Sequence, residues 1–477
     1  MNNKIIKHTS YNKWIIFLLV ATAIFMSTLD SSIVNVALPY IMEDLHTDIN
    51  VIQWVILAYL VIVSSLLLTF GKLSDIYGRR KIYTYGFLIF TIGSFLCSIC
   101  PTPLLLILSR VIQGLGSAML MACSPAIIVD TFPQKERGKA LGMIGTAVAA
   151  GLTAGPMAGG ILLDFLSWRS IFYINIPIGL AALIAGFIIL KGTNADKGNN
   201  EPLDKAGSIS LIICISSFIL ILTHLDKWQV SDIKTLSLFI ISLTSLIFFI
   251  KHESKTRFPL FDPELLKIRL FIFPVISAAI LYAALFIIIF LMPFYLTYPC
   301  GYSASTTGFL MITPFIFLSF ISPVAGSLYD KTGSQWLCTA GMFLLTISLA
   351  SFYFINNTGG VIPLLWRFAI AGIGTALFTS PNNTCALNST SLTQRGIASG
   401  SIATARNMGM VIGIAIAGLI FSLTYSKLTH GARLENYTED MVVFFMISFK
   451  RAMTAGAILA FSGIIVSYMR GVDKPST

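Results

Sequence analysis

Charge is what this sequence has least of: only 11% of its 477 residues are Asp, Glu, Lys or Arg, against roughly a quarter in soluble proteins. With 56% apolar side chains and a mean hydropathy of +0.83, a soluble multidomain protein is excluded. Strict alternation of polar and apolar residues is also missing, which removes an outer-membrane β-barrel. No G-x4-G-K-[ST] loop occurs, so an ATP-driven pump built on that motif is disfavoured. The five His fall in loops or at the ends of apolar runs, without a paired-carboxylate or metal-ligand constellation. The chain is therefore not expected to be an enzyme or to carry a metal or cofactor. Cysteine is sparse and odd in number, seven in all, and mostly inside apolar runs. Cys97 and Cys100 form a C-x-x-C spacing with no second pair, which reads as buried small thiols rather than a redox or metal site.

What is present is a succession of apolar runs, each about 20 residues long, the length that crosses a bilayer as a helix. Reading runs against charged breaks predicts fourteen helices, at 14–36, 51–70, 82–100, 104–128, 138–162, 171–190, 206–224, 235–250, 270–292, 304–325, 335–355, 361–384, 396–422 and 448–469. Lys4, Lys7 and Lys13 precede the first run as in a signal peptide, but no small-residue cleavage site follows, so the run reads as a retained span. The net charge of +11 is spread through short loops, which is a topology signal and not a nucleic-acid surface. With both termini inside, inner Lys and Arg outnumber outer ones roughly three to one, which predicts a cytoplasmic-membrane protein with cytoplasmic termini.

The chain repeats itself. Gly71-x3-Asp75-x2-Gly78 recurs as Gly326-x3-Asp330-x2-Gly333, and Arg110-x3-Gly114-x-Gly116 recurs as Arg367 with Gly372-x-Gly374. Ser124-Pro125 matches Ser380-Pro381, and Arg137-Gly138-x-Ala140 matches Arg395-Gly396-x-Ala398. A nearly constant offset over such length implies two parallel six-helix bundles. The expected organisation is a first bundle at 1–190, a linker with two inserted helices at 191–269, and a second bundle at 270–477. Two bundles rocking about a midplane site is the physical model that follows.

The motifs themselves resemble the major facilitator superfamily, and specifically its fourteen-span drug:proton antiporters of the EmrB/QacA type. The resemblance rests on Leu29-Asp30-Ser31-Ser32-Ile33-Val34-Asn35-Val36-Ala37-Leu38-Pro39 in the first span and on the loop Gly71-Lys72-Leu73-Ser74-Asp75-Ile76-Tyr77-Gly78-Arg79-Arg80-Lys81. It rests also on Ser109-Arg110-Val111-Ile112-Gln113-Gly114-Leu115-Gly116 in span 4, Gly151-x3-Gly155-Pro156-x2-Gly159-Gly160 in span 5, and Trp168-Arg169 with Phe172-Tyr173-Ile174-Asn175-Ile176-Pro177. This resemblance implies an all-α major facilitator fold and export of small amphiphilic compounds driven by the proton gradient, with no cofactor.

Asp30 is the only carboxylate well inside a predicted span, where a charge is expensive unless it is useful. It lies nine residues before Pro39 and Arg110 seven after Pro103, about 13 and 10 Å below the outer surface, so the two share a depth. Burial favours the neutral acid and a neighbouring guanidinium favours the carboxylate, so their separation would set whether the site holds a proton. Coupling of protons to transport and a static ion pair tying span 1 to span 4 both fit. The loop residues Gly71, Asp75, Gly78, Arg79 and Arg80 read as a turn with cytoplasmic anchoring charges. The resemblance adds a latch between bundles in the outward-open state, with Asp330 as a weaker second copy. Gly151, Gly155 and Gly159 form one smooth helix face, with Pro156 and Gly160 beside it, suited to close packing and a local kink; the resemblance adds a bias towards export.

Arg367 and Arg406 are the remaining charges within spans, and no carboxylate within the last eight spans is available to either. That asymmetry favours a neutral, zwitterionic or anionic amphiphile over a dication. Asn35, Gln53, Trp54, Tyr59, Gln113 and Tyr282 are candidate cavity residues, Trp54 being equally suited to an interfacial belt. Glu253, Lys255, Arg257, Asp262 and Glu264 look like a surface linker. Membrane lipids, protons and a small molecule are the expected partners of a chain working as a monomer, with an adaptor protein left open. A lipid flippase or a metabolite transporter on the same fold is the alternative.

Overall fold

The computed structural model describes residues 13–191, 203–225, 228, 232–256, 260–261, 263–356, 360–391 and 394–473. In lipid every backbone N–H and C=O must be satisfied within its own segment, and apolar runs of this length meet that condition only as helices. The first group comprises α1 (Lys13–Asp44), α2 (Ile49–Ile52), α3 (Trp54–Tyr77), α4 (Arg79–Ser98), α5 (Pro103–Thr131), α6 (Gln134–Phe165), α7 (Ser170–Tyr173) and α8 (Asn175–Ile189). Next come α9 (Lys205–His224) and α10 (Ile233–Glu253). The last group is α11 (Arg269–Thr297), α12 (Ala304–Met311), α13 (Thr313–Thr332), α14 (Ser334–Ser351), α15 (Ile362–Asn388), α16 (Arg395–Leu428) and α17 (Val442–Met469). With α2, α7 and α12 each running into the helix that follows, the described residues hold 14 segments long and apolar enough to cross a membrane.

The helices outlast their apolar runs. The first, expected at 14–36, continues to Asp44, and the second, expected to stop at 70, continues to Tyr77. About 20 residues cross the hydrocarbon, and the surplus turns stand in the headgroup region, where charges cost little. This corrects the reading of Gly71, which is helical with nothing within 4 Å of where a Cβ would sit. Gly78 alone makes the turn, at φ 92°, where an L side chain is strained. Its repeat mate Gly333 has φ 74°, so the internal repeat extends to backbone conformation.

In the first group α1 packs on α6, α4 on α5 and α8, and α3 on α5; in the last, α11 packs on α16, α14 on α15 and α17, and α13 on α15. The pair α9 and α10 pack together, and α9 leans on α3 and α16. Gly151 and Gly155 lie against α1 so closely that a Cβ would stand 2.1 Å from Thr28 Oγ1 and 1.9 Å from Ser32 Oγ. Gly159 continues this face against Ile33. Ser32 Oγ also donates to the Gly151 carbonyl at 3.1 Å. The opposite side of the same motif meets the other group: a Cβ on Gly160 would lie 2.5 Å from the Ala304 carbonyl, and one on Gly308 would lie 2.2 Å from the Pro156 carbonyl.

Contacts between the two groups gather at the end of the molecule marked by Asp44. Asp164 accepts hydrogen bonds from the Ala304 and Ser305 amides, both at 3.1 Å, and Asn50 donates to Ser422 Oγ at 2.7 Å. Asp44 itself accepts from Trp168 Nε1 and Arg169 Nη1 at 2.8 and 3.0 Å, joining α1 to α7. Towards the Lys13 end, Gly142 and Gly145 of α6 are exposed with nothing within 4 Å of a built Cβ. The molecule is closed at the Asp44 end.

Candidate functional site: a buried ion pair beside a central cavity

Asp30 and Arg110 meet where depth arithmetic placed them. Arg110 Nη1 lies 2.5 Å from Asp30 Oδ2, and both side chains are wholly buried. Gln113, one helical turn along α5, accepts from Arg110 Nη1 at 2.5 Å and donates to Asp30 Oδ1 at 2.7 Å. Asn175 Nδ2 donates to the same oxygen at 3.1 Å, Ser94 Oγ accepts from Gln113 at 2.9 Å, and Arg110 Nε donates to the Val55 carbonyl at 2.8 Å. Five helices of one bundle thus contribute to a buried network in which each carboxylate oxygen has a donor, while Arg110 Nη2 and Asn175 Oδ1 are left without a protein partner. Such a network holds the charge and makes removal of one partner costly. Asn175 and Ser94 were not expected members. Asn175 lies in the quoted Phe172–Pro177 segment and is a lone amide in an apolar run, which was the available signal. Cys97 and Cys100 are free and buried, Cys97 Sγ lying 3.7 Å from Gln113 Oε1 and Cys100 Sγ 3.3 Å from Ser109 Oγ.

A narrow cavity of about 40 Å³ lies between the bundles, lined by Ser27, Thr28, Ser31, Tyr59, Leu60, Val63, Met121, Val148, Leu152, Tyr282, Arg406, Asn407 and Met410. Tyr59 joins this space to the ion pair. Its ring faces the Arg110 guanidinium at 4.2 Å, and its hydroxyl is engaged with Ser117 Oγ at 2.6 Å and the Ser27 carbonyl at 3.1 Å. Asp30 is one residue from the cavity-lining Ser31, yet is itself walled off. The Arg406 guanidinium stands 6.0 Å from the Tyr282 ring.

Other candidates lie elsewhere. Gln53 is buried in the seam with α16, where a Cβ on Gly418 would be 2.1 Å from its Oε1. The Trp54 ring packs 6.4 Å from the His224 ring of α9. Asn35 Nδ2 donates back to the Ser31 carbonyl of its own helix at 2.8 Å. None of these three lines the cavity. Arg367 donates to the backbone carbonyls of Ser351 at 3.0 and 3.2 Å and of Pro363 at 2.5 Å, with its guanidinium 4.3 Å from the Trp366 ring. It also lies outside the cavity lining. Helix rotation and the register of distant helices decide these placements, and neither is visible in one span's sequence.

The loop charges work within the first bundle in this state. Arg79 bonds Asp75 at 2.9 Å and also Asp130, and Arg80 donates to the Phe187 carbonyl at 3.0 Å. Asp330 is exposed, and none of the ion pairs joining described residues reaches it. Its bundle is fastened from the chain's tail instead. Arg470, with no exposed surface, donates to Ser277 Oγ and Asn382 Oδ1, both at 2.9 Å, and Asp473 accepts from the Ser334 amide at 2.8 Å. Lys255 and Glu264 are exposed, as a surface linker requires, but Glu253 departs from that reading: it is 2% exposed and accepts from the Leu260 and Phe261 amides at 2.7 and 3.2 Å. Those amides have no helical partner, and the carboxylate supplies one. Arg257 and Asp262 lie outside the described residues.

Comparison with known proteins agrees with this architecture. Riboflavin transporter RibZ of Clostridioides difficile (strain 630) is 34% identical over 467 residues, spanning 97% of this chain and 99% of that protein. Multidrug resistance protein 3 of Bacillus subtilis (strain 168) is 32% identical over 406 residues, 83% and 77% of the two chains. In fold, the chain is similar to a bacterial homologue of the human lysosomal transporter Spinster, with a TM-score of 0.69 at 14% identity over 96% of each chain. The family model described as Major Facilitator Superfamily matches residues 20–414, and the chain belongs to that superfamily of membrane transporters.

Proposed function

We propose that the protein is a proton-coupled exporter of small amphiphilic compounds, of the fourteen-span EmrB/QacA-like branch, working as a monomer by alternating access in the cytoplasmic membrane with both termini inside. The observation that carries this reading is the Asp30–Arg110 pair held by Gln113 and Asn175, one aromatic ring away from the cavity. With the termini inside, closure at the Asp44 end makes this the inward-facing state. A proton arriving on Asp30 removes the charge that holds Arg110 Nη1, and the guanidinium then rests on Gln113 Oε1 and the Val55 carbonyl. That shift displaces the face of Tyr59 and, through α1 and its glycine contacts with α6, reaches the seam between the bundles. No cofactor enters the cycle. One proton falling through 100 mV releases about 2.3 kcal/mol, enough for roughly a fifty-fold substrate gradient.

Relatives named for multidrug resistance, at 29 to 32% identity, support efflux of diverse small molecules. The relative named a riboflavin transporter favours a second reading, a transporter of one aromatic metabolite. A test in proteoliposomes with an imposed pH gradient uses riboflavin beside neutral, anionic and cationic amphiphiles. Wild-type protein is expected to move at least one of them against its gradient with matching proton flux, and Asp30→Asn to lose this while still folding, at a lowered unfolding temperature because Arg110 loses its counter-charge. Gradient-driven transport at the wild-type rate by folded Asp30→Asn would refute the coupling role. Transport with no proton flux would point to a flippase.

A further inference from the structure

We infer that Arg406, Asn407 and Ser27 form an anion subsite, which takes the single negatively charged oxygen headgroup of a flat aromatic amphiphile. The cavity holds several hydrogen-bond donors with nothing to donate to. Among the described residues Arg406 makes no hydrogen bond or ion pair, and its buried Nε has no acceptor. Asn407, 4% exposed, lines the same cavity from α16 with its amide nitrogen unpartnered. Across from them on α1, the Ser27 hydroxyl is buried without a partner. Buried donors left this way carry a desolvation cost that a ligand acceptor would relieve.

The charge balance selects the ligand's sign. No carboxylate lines the cavity, and the nearest one, Asp30, is spent on Arg110, Gln113 and Asn175. Arg406 is therefore an uncompensated positive charge in an apolar space, which repels a cation and pairs with an anion. The remaining lining fixes the ligand's body. Tyr59 and Tyr282 offer flat faces, and Leu60, Val63, Met121, Val148, Leu152 and Met410 are apolar. This subsite rests on the reading of the cavity as the cargo site of a transporter.

The test is equilibrium binding to the full chain in nanodiscs, with no pH gradient, using 2-naphthoate, its neutral amide 2-naphthamide and the cation 2-naphthylmethylammonium. Naphthoate is expected to bind saturably and more tightly than the other two. Arg406→Gln should weaken naphthoate about ten- to a hundred-fold, the size of a lost charge-assisted bond, and barely change the amide. Arg406→Lys should keep most of the affinity, and unfolding temperatures of both variants exclude misfolding. Preference for the cation, no saturable naphthoate binding, or naphthoate affinity indifferent to Arg406→Gln would each overturn the subsite. Because no gradient is applied, these outcomes are separate from proton coupling: folded Asp30→Asn that still transports would sink the coupling role and leave the subsite standing.

Discussion

The two bundles treat a buried arginine differently. The first sets Arg110 against a carboxylate with neutral amides around both, while the second gives the repeat-related Arg367 only backbone carbonyls. A carboxylate can lose its charge to a proton, and a peptide carbonyl cannot. The repeat thus holds one centre with a titratable group and one without. Arg406 is a third case, a guanidinium facing a cavity with no acceptor of its own.

Unfolding free energies of single arginine variants in lipid nanodiscs sharpen this ranking. Arg110→Ala should cost most, about 3–5 kcal/mol, because it strands the Asp30 charge in a buried site. Adding Asp30→Asn to that variant should restore much of the loss; no recovery would mean that packing, and not charge, dominates there. Arg470→Ala comes next at about 2–3 kcal/mol, since it removes the buried donor shared by Ser277, Asn382 and Cys338 and leaves Asn382 Oδ1 only Ser277 Oγ at 3.3 Å. Arg367→Gln should cost about 1–2 kcal/mol and leave transport unchanged; a transport defect would give the second bundle a functional charge after all. Arg406→Gln should cost no stability and slightly raise it, since it breaks no hydrogen bond and removes an unpaired buried donor. A large loss there would reveal a partner and remove the basis of the anion subsite.

The ion pair was legible because a charge inside an apolar run is rare and its depth can be counted from flanking prolines. Asn175 and Ser94 were harder to see, since neutral polar residues are common in spans and only the fold brings Asn175 to Asp30. Gln53 looked like a cavity residue, but its neighbour Gly418 lies far along the chain, and no pattern near position 53 announces that meeting. Arg470 follows the last apolar run, where nothing in the sequence sets it apart from an ordinary cation at the end of a span. Its burial comes from α11, α14 and α15 folding around it. Glu253 deceived for a related reason: a charged stretch with prolines suggests surface, yet a turn folded against the protein needs acceptors for its amides.

The closure at the Asp44 end has an unequal genetic footprint. Asp164 supplies the acceptor through its side chain, but the donors are the main-chain amides of Ala304 and Ser305. Half-buried position 305 can therefore accept other residues except proline without removing its amide from that clasp, whereas Ala304, fully buried against α6, is limited to small side chains and position 164 to a carboxylate. The half of the gate written in side-chain identity sits on α6, immediately after its glycine motif, so one short stretch of sequence holds both the hinge surface and the bolt.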